Sequence, residues 1–278
     1  MKSNFFRFIL HPLVKTILFW IFFVGFLFLL SKFFLGFSSP AWVPFTYGIL
    51  GIIAAISIIL FYLRIDQITL RDIGLFWKTE TPIHFLIGLF LGTGIFAIMI
   101  LVLINFTGLH FVINPKGLNL ATALGFIAIF PLALMEELAF RSYTFVTLNK
   151  KYGIWIAQLM VAIAYAGYHI ITGWTVFSAF TGPFVWAFIF GLAAARSGGI
   201  AFPLGIHFAL NILQPLTGMK GEEYSFWSLR YAEGTPAAVI NHTDTVGIYI
   251  QAAILILGRL LTALYAGRGQ QLDQSYSV

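Results

Sequence analysis

The chain has 278 residues, of which 26 (16 Lys and Arg, 10 Asp and Glu) are charged, a share of 9% against about 25% in soluble domains. With 60% apolar residues and 31 Phe, the chain can neither build a water-facing skin nor match a disordered segment, which is poor in aromatics and rich in charge. The absence of Cys removes disulfides, thiolate metal sites and a Cys nucleophile, and a net charge of +6 is too thinly spread to suggest nucleic acid. What remains is an all-α, polytopic membrane helical bundle.

A bilayer core about 30 Å thick takes about 20 residues of apolar helix. The chain offers about eight candidate transmembrane helices: 14–34, 45–63, 83–105, 119–147, 153–175, 178–195, 199–217 and 246–267. The first apolar run, 16–30, is followed by no small-residue cleavage site, so it reads as a retained span rather than a signal peptide. Gly and Pro inside later spans (Pro131, Gly167, Pro183, Pro203) are tolerated where helices pack among helices. Residues 218–245 form the longest stretch between spans and read as a solvated outer loop carrying Glu222, Glu223, Glu233 and Asp244. No repeat and no soluble segment interrupts the pattern, so 1–278 reads as a single integral membrane domain.

Alternate loops differ in basic charge. With the N-terminus inside, the inner side holds Lys2, Arg7, Lys15, Arg64, Arg71, Lys78, Lys150, Lys151, Arg196, Arg259 and Arg268. The other side holds Lys32, Lys116, Lys220 and Arg230. Cytoplasmic loops carry the excess of Lys and Arg, so both termini are expected in the cytoplasm. The expected location is a plasma membrane, read as bacterial.

Eight of the ten acids, Asp273 and Asp66 among them, fall in loops or the tail. The other two, Glu136 and Glu137, are adjacent within the fourth apolar segment. A charge at mid-bilayer costs about 2.5–3.5 kcal/mol on insertion scales, so it needs a function or a partner. Glu137 and Arg141 are four residues apart and share a helix face, where they can form an ion pair. Glu136 points about 100° away and has no such intrahelical partner. It is therefore the carboxylate expected to face a polar cavity, as a general base would. A structural ion-pair network is the alternative reading of the same residues.

Two of the six histidines, His169 and His207, lie inside apolar spans, and Asn211 follows His207 on the same helix face. One buried His is usually an interhelical hydrogen bonder, but two with an Asn and a Glu from three spans suggest a site. At 1.5 Å per residue, Glu136, His169, His207 and Asn211 lie roughly 15–27 Å from the basic edges of their spans, within one slab of the bilayer. His11, His84, His110 and His242 sit at span ends or in loops, and the tryptophans read mostly as interfacial belts.

Glu136-Glu137-x-x-x-Arg141, then an aromatic four positions ahead of His169, then His207-x-x-x-Asn211 resembles the CPBP family. That family comprises type II CAAX prenyl proteases (Rce1-like) and bacteriocin-processing intramembrane proteases. The stretches GLAAARSGGIAFPLGIHFALN and ITLRDIGL are similar to family features, and the resemblance spans a core of 70–213. Tyr165 stands where the family usually has Phe; its hydroxyl can bond within the site or fill space. The resemblance implies an intramembrane endopeptidase acting on membrane-associated proteins or peptides. Glu136 and His169 would activate a water, His207 and Asn211 would stabilise the oxyanion or help hold a metal, and Glu137 with Arg141 would brace the site. If a metal is used, zinc held by Glu136, His169 and His207 is the expected cofactor; a metal-free scheme uses the same residues. The expected partners are a peptide or membrane-protein substrate and the lipid bilayer. Nothing in the sequence is a visible reader of a prenyl group.

Two other readings fit the buried charges. Glu136, His169 and Arg141 could form a proton relay in a transporter, although the repeated halves of many transporters are missing. A catalytically idle scaffold or immunity protein on the same fold is the other.

Overall fold

The computed structural model describes residues 11–115, 120–219 and 225–275, with the backbone alone at 120, 121 and 268–275. Lys2, Arg7, Lys116, Lys220, Glu222 and Glu223, counted in the charge reading, lie outside the described residues, as do the side chains of Arg268 and Asp273.

Prolines open several helices at their first turn, where no N–H is needed and φ is preset. Helix α1 (Pro12–Phe34) starts this way, as do α2 (Val43–Asp66) and α3 (Thr81–Thr107). After strand β1 (Leu109–Ile113) come α4 (Leu120–Arg141), α5 (Tyr143–Tyr152) and α6 (Ile154–Ile171). A short α7 (Val176–Thr181) leads into α8 (Pro183–Ser197), followed by α9 (Ala201–Leu216), strand β2 (Trp227–Tyr231) and α10 (Ala237–Ser275). Gly108 and Gly198 close α3 and α8 in the left-handed conformation that glycine adopts without a Cβ penalty.

The all-α membrane bundle is borne out. Among the described residues seven apolar helical stretches are long enough to cross a bilayer, two of them continuing through breaks at Ser142 and Gly182. The eighth expected span is α9, whose 16 residues cover about 24 Å at 1.5 Å per residue, short of a full crossing. Large apolar side chains such as Phe28, Phe90 and Leu264 remain exposed around the bundle.

Stretch 218–245 is not simply a loop. Strand β2 pairs antiparallel with β1, matching Leu109 to Tyr231 and Phe111 to Leu229, and α10 begins at Ala237. Leu109, Leu229 and Tyr231 pack with Leu103 of α3 and with Val246 and Ile250 of α10. Each strand has only five residues, too few for an alternating pattern to stand out. Glu233 and Asp244 are exposed, as expected.

Two seams position the site. Along α3 and α9 the backbones nearly touch: a Cβ on Gly88 would come within 2.3 Å of the Phe202 carbonyl oxygen, and one on Gly205 within 2.2 Å of that of Phe85. Gly88 and Gly92 form a small-xxx-small pair, the arrangement that lets membrane helices approach closely. Along α2 and α4, Gly51 makes room for Met135, the residue before Glu136. At the basic end, Lys15 of α1 pairs with Asp66 of α2, which also accepts a 2.6 Å hydrogen bond from the Tyr143 hydroxyl of α5. In the loop before α3, Asp72 accepts from the Thr69 hydroxyl and backbone N–H at 2.7 and 2.8 Å. These bonds to the charged form hold its carboxyl below the usual carboxylate range.

Candidate active site

Helix α4 carries Glu136, Glu137 and Arg141 into the bundle, and burial separates their roles. The side chains of Glu137 and Arg141 are fully enclosed, whereas Glu136 retains 12% exposure. That exposure opens onto a cavity of about 730 Å³ lined by Glu136, Tyr165, His169, His207 and Asn211. The four residues expected at one depth thus face one space, with Tyr165 among them.

The Tyr165 hydroxyl donates to Oε2 of Glu136. It occupies one carboxylate oxygen and leaves Oε1 for another donor. The tyrosine that departs from the expected phenylalanine is therefore part of the polar network. His207 Nε2 lies 3.6 Å from the same Oε2. His207 Nδ1 is 2.8 Å from Oε1 of Glu137 and donates to that carboxylate. Glu137 also meets Arg141 Nη1 at 3.4 Å, the ion pair expected from their spacing. Glu137 is thus shared between Arg141 and His207, and it fixes the tautomer and ring orientation of His207, as a carboxylate partner does for a working His.

Arg141 is held mostly by rings. Its guanidinium lies 4.2 Å from the centre of the Tyr165 ring and 5.0 Å from that of Phe190, contacts worth about 2 kcal/mol or more when desolvated. Phe190 in turn stacks on His207, with ring centres 4.8 Å apart at 18°. Tyr165, Phe190, Arg141 and His207 therefore form one packed group, so displacing any member moves a reactive one.

His169 stands on the other side of Tyr165. Its Nδ1 donates to the Tyr165 carbonyl oxygen at 2.9 Å, which leaves Nε2 as an acceptor. Its ring meets Tyr165 edge-on at 4.6 Å and Trp174 at 5.1 Å. Asn211 lines the cavity one turn beyond His207. Glu136, Glu137, Arg141, Tyr165 and His207 are in contact, then, while His169 and Asn211 join them through the shared cavity.

Several contributors were not visible in the sequence. Trp174 and Trp186 line the cavity, and Phe190 backs His207. A Phe among 31 Phe carries no distinguishing signal. Tyr47 and Tyr168, whose hydroxyls are 3.3 Å apart, also line the cavity. Among the described residues no three His, Asp or Glu side chains are grouped to hold a metal ion.

A comparison with family models matches residues 118–213 to the type II CAAX prenyl endopeptidase Rce1-like family. Over this segment, about a third of the chain, the protein is similar to that family. The segment runs from the approach to α4 into α9 and contains Glu136, Glu137, Arg141, Tyr165, His169, His207 and Asn211, while Tyr47 lies outside it. The match supports a protease at the level of the family, and the long apolar helices support an integral membrane protein. A comparison with curated proteins gave no match.

Proposed function

We propose that the protein is an intramembrane endopeptidase that uses Glu136 to activate a water, without a metal. The observation that carries this reading is the Glu136 carboxylate, which faces a sizeable cavity with its Oε2 held by Tyr165 and its Oε1 without a hydrogen-bond donor among the described residues. Oε1 takes the proton of a water as that water attacks a peptide carbonyl. His169 accepts through Nε2 and orients the same water from across the cavity. Negative charge then develops on the carbonyl oxygen, where preorganised donors lower the barrier most. The Asn211 amide supplies one donor. With Nδ1 committed to Glu137, His207 donates from Nε2 only when its ring carries both protons, and Glu137 supplies the counter-charge for that form. Proton return from Glu136 to the leaving amine completes hydrolysis.

The cavity walls are largely apolar and belong to the membrane bundle, so a membrane-associated peptide or protein segment is the substrate class. The distribution of Lys and Arg supports an arrangement with both termini in the cytoplasm.

The test uses the purified protein in phosphatidylcholine bilayers with a library of membrane-associated peptides. Wild type generates new termini, and Glu136→Gln loses 10²–10⁴ of that rate, the usual worth of a general base, while its thermal stability is unchanged. Cleavage persists in a chelator. Wild-type cleavage by Glu136→Gln refutes the base assignment, and loss of wild-type cleavage on chelation that zinc restores refutes the metal-free scheme.

A further inference from the structure

A second hollow lies on the back of the catalytic wall. It measures about 350 Å³ and opens between α3, α8, α9 and α10. Leu91, Leu192, Phe202, Leu261 and Leu264 give it an apolar surface, and Arg196 is its single charged lining residue. Leu91, Leu261 and Leu264 are exposed, so the groove opens outward to the lipid side. An apolar slot with a cation at one end matches the shape of a lipid: chain along the helices, headgroup at the basic edge.

The charge around that end supports the same occupant. Arg196 lies in the last turn of α8, two residues before Gly198. Lys78 Nζ approaches to 3.8 Å of the position a Cβ on Gly198 would occupy. Arg71 and Lys78 both lie against the Phe76 ring, 5.0 and 4.7 Å from its centre. Among the described residues none of these three cations forms an ion pair. Of the neighbouring acids, Asp66 is held by Lys15 and Tyr143, Asp72 is bonded to Thr69 and also feels Arg71, and Glu80 stands two residues from Lys78 at the start of α3. Basic pockets between membrane helices bind anionic headgroups, each Lys or Arg near the surface contributing about 1 kcal/mol.

We propose that this groove is a binding site for an anionic phospholipid, its acyl chain between α8, α9 and α10 and its phosphate on Arg196 and Lys78. The site shares a wall with the catalytic cavity. Ile189 and Ile206 line the groove, while the next residues, Phe190 and His207, line the cavity. A seated lipid therefore supports, from behind, the two helices that place His207.

The test is a binding titration of the full chain in detergent, with bound lipid counted by native mass spectrometry. The readout is lipid retention rather than cleavage, so it stands apart from the endopeptidase reading. Wild type retains phosphatidylglycerol at least fivefold more tightly than phosphatidylcholine. Arg196→Gln, a change at an exposed side chain, reduces that preference about fivefold, and Arg196→Lys largely restores it. Leu192→Trp, which fills the groove and leaves the cations, weakens both lipids. Equal retention of the two lipids by wild type overturns the proposal, as does an unchanged preference in Arg196→Gln. Competition by glycerol phosphate as effective as by phosphatidylglycerol also overturns it, because the groove would then contribute nothing.

Discussion

Helix α9 faces two ways, and its two contacts are built on opposite principles. Against α3 it is dry: Gly205 and the Gly88/Gly92 pair bring the backbones together with no charged group at the seam. Against α4, two residues beyond Gly205, it is polar: His207 meets Glu137 and approaches Glu136. In lipid there is no hydrophobic gain from pressing apolar helices together, so close van der Waals packing has to hold them. The comparison teaches that the glycine seam sets the depth and rotation of α9, and that the polar contact spends this fixed geometry on orienting one imidazole.

Three substitutions separate these parts, in decreasing order of effect. Glu137→Gln leaves Arg141 buried beside rings with its counter-charge gone. Breaking a buried pair in this way costs about 3–5 kcal/mol, so thermal stability in bilayers and cleavage should fall together. A Glu137→Gln protein as stable as wild type would show that the rings alone hold Arg141. Gly205→Val should cost about 1–3 kcal/mol or more through overpacking, because its side chain would enter the Phe85 and Leu89 backbone. Unfolding followed in micelles checks this value, and an unaltered melting temperature would mean that the seam yields. Tyr165→Phe removes one hydrogen bond to a carboxylate and keeps the ring over Arg141. A hydrogen bond to a charged group is worth about 1.5–3 kcal/mol, so the cleavage rate should drop about tenfold or more while stability changes little. A Tyr165→Phe enzyme at full rate would reduce the hydroxyl to space-filling.

The parts of the site that were legible in the sequence are those that follow from helix geometry. The i, i+4 spacing gave the Glu137–Arg141 pair, and the 100° offset sent Glu136 elsewhere, towards the cavity it faces. The common depth of His169, His207 and Asn211 came from counting residues to basic edges, and all three line one cavity. What spacing could not give is contact between helices. That Glu137 serves His207 as well as Arg141, and that the Tyr165 hydroxyl reaches Glu136, depends on how α4, α6 and α9 are rotated against one another. The Gly88/Gly92 pair was on the page as letters, but its meaning needed a partner helix. The β1–β2 ribbon was missed because its pairing joins residues more than a hundred positions apart.

Composition and charge placement alone determined that this chain is a membrane bundle with an unusual cluster of charges in its fourth span. Those properties are local: a charge in an apolar run is expensive wherever the run ends up, so the sequence reports it directly. Only the tertiary structure decided which side chains meet that cluster, that α9 is shorter than a full crossing, and that an apolar groove ending in Arg196 lies behind the wall of the Glu136 cavity. These depend on interhelical rotation and distance. Backbone-to-backbone packing of a few ångströms fixes them, and no single helix encodes it.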